Sequence, residues 1–173
     1  MTDLLADATS VLATSAARWT ALAAVEPGLL ARRPAAGEWS AIQCLQHVVD
    51  TERAVFCARV LAILDGRDFA AFDPDAEGGV DAIERSAADL ASDLERLRPD
   101  SLAVLRTLGP ADLRRTARHA ELGVVTMAEL LNEWAAHDTM HLVQAERALM
   151  QAFIPGSGPW RHFFADHDVA GAG

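Results

Sequence analysis

Apolar residues recur along this chain at helical spacing, and four long segments carry the pattern. The first runs from about Asp3 to Val25, with Leu4, Ala8, Val11, Leu12, Ser15, Trp19 and Leu22 three or four residues apart, and Glu26-Pro27-Gly28 reads as its stop. The second begins at Ser40. There Ser40-x-x-Gln43 has the form of a capping box, and Trp39 stands where a hydrophobic staple onto Cys44 would sit. It continues to about Leu64 and ends at Asp65-Gly66. The third starts near Asp81, with Asp81-x-x-Glu84 as another capping box, and carries Ile83, Leu90, Leu94, Leu97, Leu102 and Leu105. Pro99 should kink or split it, and Gly109-Pro110 ends it. The fourth opens at the capping box Thr126-x-x-Glu129 and presents Leu130, Leu131, Trp134, His137, His141 and Ala145 on one face before Pro155-Gly156-Ser157-Gly158.

The connections are less regular. Arg67 to Gly79 is a long loop with Phe69, Phe72, Asp73-Pro74 and Gly78-Gly79, suited to be a lid over a site or a cap on the end of the helices. Ala111 to Val125 has weak periodicity, which predicts a short helical turn, then irregular chain with His119 exposed. Pro159 to Ala165 should fold Trp160, Phe163 and Phe164 against the body, and residues 166–173 should fray. The expected organisation is a single all-α domain over residues 1–165.

Composition supports helix. The hydrophobic fraction is 51%, rich in alanine, and tyrosine is absent. The net charge is −10 and every basic residue is arginine, an acidic balance that fits neither nucleic acid nor an anionic membrane as partner. No apolar run approaches the ~18 residues of a membrane span. Met1-Thr2-Asp3 lacks the basic start of a signal peptide. Cys44 and Cys57 fall on one predicted helix, roughly 20 Å apart, too far for a mutual disulfide. The expectation is a reduced, cytoplasmic protein.

The chemistry concentrates in histidine. His137 and His141 are four apart, so on a helix they share a face one turn apart and can reach one metal ion. A catalytic site needs about three protein ligands, and His47, on the core edge of the second helix, is the best third. Three neutral imidazoles suit zinc, nickel or iron without choosing among them. Their other nitrogens need acceptors, for which Glu133, Asp138 and Glu52 are available. Glu52 also faces the apolar side, and Arg59, two turns on, is its expected ion-pair partner. Cys44, one turn from His47, is expected to be packed core and not a ligand. Other readings of the same residues fit worse. His137-Asp138-x-x-His141 lacks the glutamate of an H-E-x-x-H protease, and a di-iron bundle wants two Glu-x-x-His motifs, which are absent.

The order and spacing of several short motifs resemble the DinB-like superfamily of metal-binding four-helix proteins. They are Pro34-x-x-Gly37-Glu38-Trp39-Ser40 leading to Leu45-Gln46-His47 with Asp50 and Glu52; His119-x-x-Leu122-Gly123-x-x-Thr126; Trp134-x-x-His137-Asp138-x-x-His141-Leu142-x-Gln144; and Gly158-Pro159-Trp160. The family's metal-binding positions map onto His47, His137 and His141. The resemblance implies a four-helix bundle whose second and third helices run parallel through the long crossover, and commonly a homodimer. It also implies kinship with transferases that use low-molecular-weight thiols such as mycothiol, including the mycothiol-dependent maleylpyruvate isomerase branch. The leading expectation is therefore a metal-dependent thiol S-transferase, with a small-molecule thiol and an electrophile as partners. A metal-dependent hydrolase and a non-enzymatic, stress-related metal- or ligand-binding module are the alternatives.

Overall fold

A computed structural model describes residues 3–72 and 85–169. Asp73-Pro74, Gly78-Gly79 and the expected capping box Asp81-x-x-Glu84 lie outside the described residues. Helix α1 spans Leu4–Ala23, with the Asp3 carboxylate accepting the Ala6 N–H at 3.3 Å as its cap. Glu26-Pro27-Gly28 does more than stop the chain. Proline's fixed φ suits the first position of a helix, and a single turn, α2, follows at Pro27–Leu30.

The second long segment is divided into α3, Ala41–Ala54, and α4, Phe56–Leu64. At Ser40 the backbone N–H donates to Gln43 Oε1 at 2.8 Å, as the capping box predicts, and Gln43 is buried. The division is confined to Val55, whose backbone leaves helical values at φ −111° and ψ −66°. The Val55 N–H still donates to the Thr51 carbonyl and the Arg59 N–H to the Val55 carbonyl, each at 2.9 Å, so the helical ladder bends without parting. Helix α5 spans Ala87–Leu105, capped by Ser86, and runs through Pro99 without splitting. Pro99 lies on the exposed side, where water can satisfy the carbonyl one turn earlier that has lost its N–H partner.

Residues 116–126 depart from expectation. A 3-10 turn at Asp112–Arg114 leads into a hairpin of β1, Thr116–His119, and β2, Gly123–Thr126, paired from Thr116↔Thr126 to His119↔Gly123. Gly123 supplies the positive φ, 80°, that the return needs. Ala117 and His119 alternate inward and Thr116 and Arg118 outward, a period of two that four residues are too short to advertise. His119 is thus buried, not exposed. Helix α6, Met127–Met150, begins where the capping box places it: Glu129 Oε2 accepts the Thr126 N–H at 2.7 Å.

Two further expectations change at the C-terminal end. Trp160 and Phe163 stay exposed on a 3-10 segment, Gly158–Phe164. Residues 166–169 are tied down where fraying was expected. Arg161 pairs with Asp168 at 2.6 Å, and Arg147 and Gln151 both donate to the His167 carbonyl.

The bundle consists of α1, α3 with its continuation α4, α5 and α6. Its directions follow from the side-chain pairs. Thr20 donates to Glu95 while Leu12 packs with Leu102, so α1 and α5 are antiparallel. Arg53 meets Asp93 and Cys57 meets Ser101, so α3–α4 and α5 run parallel. His47 meets His141 while Phe56 stacks on Trp134, so α3–α4 and α6 are antiparallel. The chain between α4 and α5 is therefore a crossover along the bundle. Among the described residues, no helix is long and apolar enough to cross a membrane.

The core is two apolar clusters, one around Trp19, Leu45, Leu94 and Leu142 and the other around Leu12, Phe56, Leu131 and Trp134. On every long helix a buried polar residue sits between them: Ser15, Glu52, Arg98 and Asp138. Arg98 joins this layer, its Nε 3.2 Å from Glu52 and its Nη2 3.1 Å from Asp138. Glu52 thus pairs with Arg98 on a neighbouring helix and not with Arg59 on its own. Removing one partner of a buried pair strands the others without compensation. Arg98→Met should lose about 3–5 kcal/mol of stability in urea unfolding, and a loss near zero would mean the layer is not under electrostatic tension.

Candidate metal centre

His137 and His141 project from one face of α6, and His47 reaches them from the antiparallel α3. The three ring-nitrogen donors lie within 4.8 Å of one another. His47 Nε2 and His137 Nε2 are 3.0 Å apart. Two neutral imidazole nitrogens approach that closely only with one proton between them or around a shared cation. A tetrahedral ion at about 2.0–2.1 Å from each nitrogen would set them about 3.3 Å apart, close to the spacing of this pair, with His141 within 4.8 Å to complete the trio.

Aromatic rings hold the trio in place. Trp39 lies parallel to His141, with centroids 5.7 Å apart, and 5.1 Å from His47. Phe56 meets His137 at 5.2 Å and Phe72 meets His47 at 6.2 Å. Trp39 packs against the core cluster that contains Cys44, and its ring also walls the histidines. Of the loop aromatics, Phe72 does fold toward the site.

The Nδ1 of His141 is 2.9 Å from Gln144 Oε1. The amide oxygen only accepts, so Nδ1 carries the proton and the Nε2 lone pair is left for the cluster. The acceptor is thus Gln144, not Glu133, Asp138 or Glu52. Gln144 lies three residues beyond His141 on the same helix face, a spacing visible in the sequence. Asp138 accepts from Arg98.

Burial keeps all three imidazoles neutral. It is the main reason His137 falls to about 3, with the neighbouring His141 and His47 and then Arg59 adding to it. Burial and then His141 bring His47 down to about 4. His141 is lowered by burial, partly opposed by Gln144 and Asp138. Neutral imidazole is the metal-binding form. Cys44 is fully buried and burial pushes its thiol up to about 12, so it is packed core beside the site, as its place in the sequence suggests.

Two cavities lie near the trio, and only the first is lined by one of its histidines. One of about 500 Å³ is lined by His141, Trp39, Gln144, Glu38 and Arg147. Another of about 300 Å³ runs along Arg59, Phe69 and Phe72, and through Phe72 comes within one side chain of His47. Glu133, one turn before His137, is raised by burial against the opposing pull of Arg59. His119 stands apart from the trio, beside Arg59 and Phe69.

The sequence profile of the DinB superfamily matches residues 12–145, a stretch that holds all three histidines. No curated protein matches. Among solved structures, the fold is similar to YfiT from Bacillus subtilis, with a TM-score of 0.75 at 17% identity, over 88% of this chain and 90% of that one. YfiT is described as a probable metal-dependent hydrolase with an unusual four-helix bundle topology.

In metal-free protein the lowered histidines predict an acid transition. An unfolded imidazole titrates near pH 6.5, whereas folded His47 and His137 do so at about 4 and about 3. The unfolded chain therefore binds more protons between those values. The stability contribution is complete above about pH 6.5 and is lost progressively as pH falls to about 3. Thermal unfolding in chelator across that range should show the decline, and His137→Phe should make it shallower. An unchanged slope in that variant would remove His137 as a cause.

Proposed function

The chain belongs to the DinB superfamily, and from that premise we propose that it is a metal-dependent enzyme that transfers a low-molecular-weight thiol to an electrophilic substrate. His47, His137 and His141 would hold one divalent ion per chain. When bound, such an ion supplies Lewis acidity and lowers the pKa of a thiol beside it.

The observation that carries this reading is the cluster of three imidazoles itself, with His141 opening on a cavity of about 500 Å³ and a second cavity lying beyond Phe72. The larger, at His141, offers Glu38, Gln144 and Arg147 together with Trp39 and Met140, a mixed wall suited to a thiol carrying both polar and apolar parts. The smaller, behind Phe72, would take the electrophile. Trp39, Phe56 and Phe72 exclude water from the imidazoles. Gln144 fixes the His141 tautomer. Glu133, one turn before His137 on α6 and raised by partial desolvation against the pull of Arg59, is the carboxylate we assign to accept a proton.

Hydrolysis is the second reading. The description of YfiT favours it, as does Glu133, which could orient a water as readily as take a proton from a thiol.

Calorimetry of the zinc-loaded protein with a panel of low-molecular-weight thiols, with and without chelator, separates the two. Saturable binding of one thiol that chelator abolishes, followed by its consumption with an electrophile, is expected. Ester turnover without any thiol would establish the hydrolase instead. In elemental analysis the wild type should hold one ion per chain and His137→Ala should lose it; full occupancy in that variant would remove the site assignment altogether.

A further inference from the structure

Away from the three histidines, the hairpin and α4 bring together two hydrogen-bond donors with no acceptor between them. His119 is only 6% exposed. Its Nδ1 accepts the backbone N–H groups of Glu121, at 3.1 Å, and Leu122, at 3.3 Å. A nitrogen that accepts carries no proton, so the ring proton is on Nε2. That Nε2 lies 3.5 Å from Nη2 of Arg59. A guanidinium has no acceptor, so the contact is not a hydrogen bond. Two N–H donors face one space.

The pair is held in that arrangement. The Arg59 Cζ sits 5.4 Å from the centroid of the Phe69 ring, and His119 meets the same ring edge-on at 5.6 Å. Phe69 is itself anchored to the hairpin. Its N–H donates to the Arg118 carbonyl and its carbonyl accepts from Ala120, both at 3.1 Å. Among the described residues, no carboxylate closes an ion pair with Arg59. Glu133 acts on it only through longer-range attraction, and the Glu129 carboxylate is occupied by Thr126. The donors open on a cavity of about 160 Å³ whose remaining walls include Leu122, Val125 and Leu130 together with Glu129 and Glu133.

We propose that this cavity is a binding subsite for the carboxylate of a small apolar acid, whose oxygens accept from His119 Nε2–H and from Arg59 while its hydrocarbon part lies against Leu122, Val125 and Leu130. Two donors suit the two oxygens of a carboxylate, and charge assistance from the guanidinium strengthens the bond. A phosphate would bring more acceptors than two donors satisfy and a further negative charge, and Glu129 and Glu133 on the same wall oppose two charges more than one. Arg59 also borders the cavity behind Phe72. Under the transferase reading, the acid group bound here would belong to the electrophile. That use rests on the reading; the subsite does not.

Butyrate, with butyramide as its neutral counterpart, tests the subsite in nitrogen–proton correlation spectra of the histidine rings of the whole protein. Before any addition His119 should be the Nε2–H tautomer. Butyrate should shift that resonance saturably and butyramide should leave it in place. Arg59→Gln should weaken butyrate at least about tenfold. Chelator should leave butyrate binding intact, so that failure of the metal site and failure of this subsite read out separately. Leu122→Glu, a change at an exposed residue on the cavity wall, serves if Arg59→Gln does not fold, and its added carboxylate should also weaken butyrate. An Nδ1–H tautomer, an equal response to butyramide, or unchanged butyrate affinity in both variants overturns the proposal.

Discussion

One guanidinium inside the bundle constrains much of what surrounds it. Arg98 is almost wholly removed from water and touches a carboxylate from each of two other helices. Burying three ionisable groups is unfavourable unless they stay paired, so α3, α5 and α6 are bound to one register at that level. Burial drives Glu52 toward its neutral form, and Arg98, with hydrogen bonds from Ser101 and Trp134, draws it back. An apolar layer would tolerate a helix sliding by a turn. This one does not, because a slide would leave a charge facing hydrocarbon.

The same register serves the histidines. Asp138 lies between His137 and His141 in sequence but is turned toward α5, and its contact with Arg98 fixes the rotation of α6 about its axis. With that rotation set, the imidazoles one residue before and three residues after are directed toward His47. Function thus inherits its geometry from a packing requirement deeper in the core. The aromatic rings then limit how far the imidazoles can turn.

What could be read in the sequence follows from how local each signal is. The start of α6 and the i, i+4 histidine pair depend on residues one turn apart, and both stand where the spacing puts them. His47 was legible because its own helix shows which edge it occupies. Partners across helices were not. Arg98 looks like one more surface arginine until α5 is known to lie beside α3 and α6, and Arg59 was the nearer choice by sequence alone. The hairpin was illegible because four-residue strands barely establish a period, and its burial of His119 followed from that. Trp39 read only as a helix staple, and its second use as a wall of the site appears once α6 brings His141 against it. Residues 166–169 looked polar and loose, but the Arg161–Asp168 pair and the side chains of Arg147 and Gln151 hold them.

The Gln144 contact has a consequence for selectivity between ligands. Many metal-bound histidines lean on a carboxylate that shares its negative charge with the ion. Here the three imidazoles are neutral, the group behind His141 is a neutral amide, and Asp138 is already committed to Arg98. A dication in this cluster would keep its formal charge almost undiminished by its immediate donors, in surroundings too dry to screen it well. Such a centre discriminates by charge before it discriminates by shape: an incoming molecule that can present an anionic atom gains most there, and a neutral one gains little.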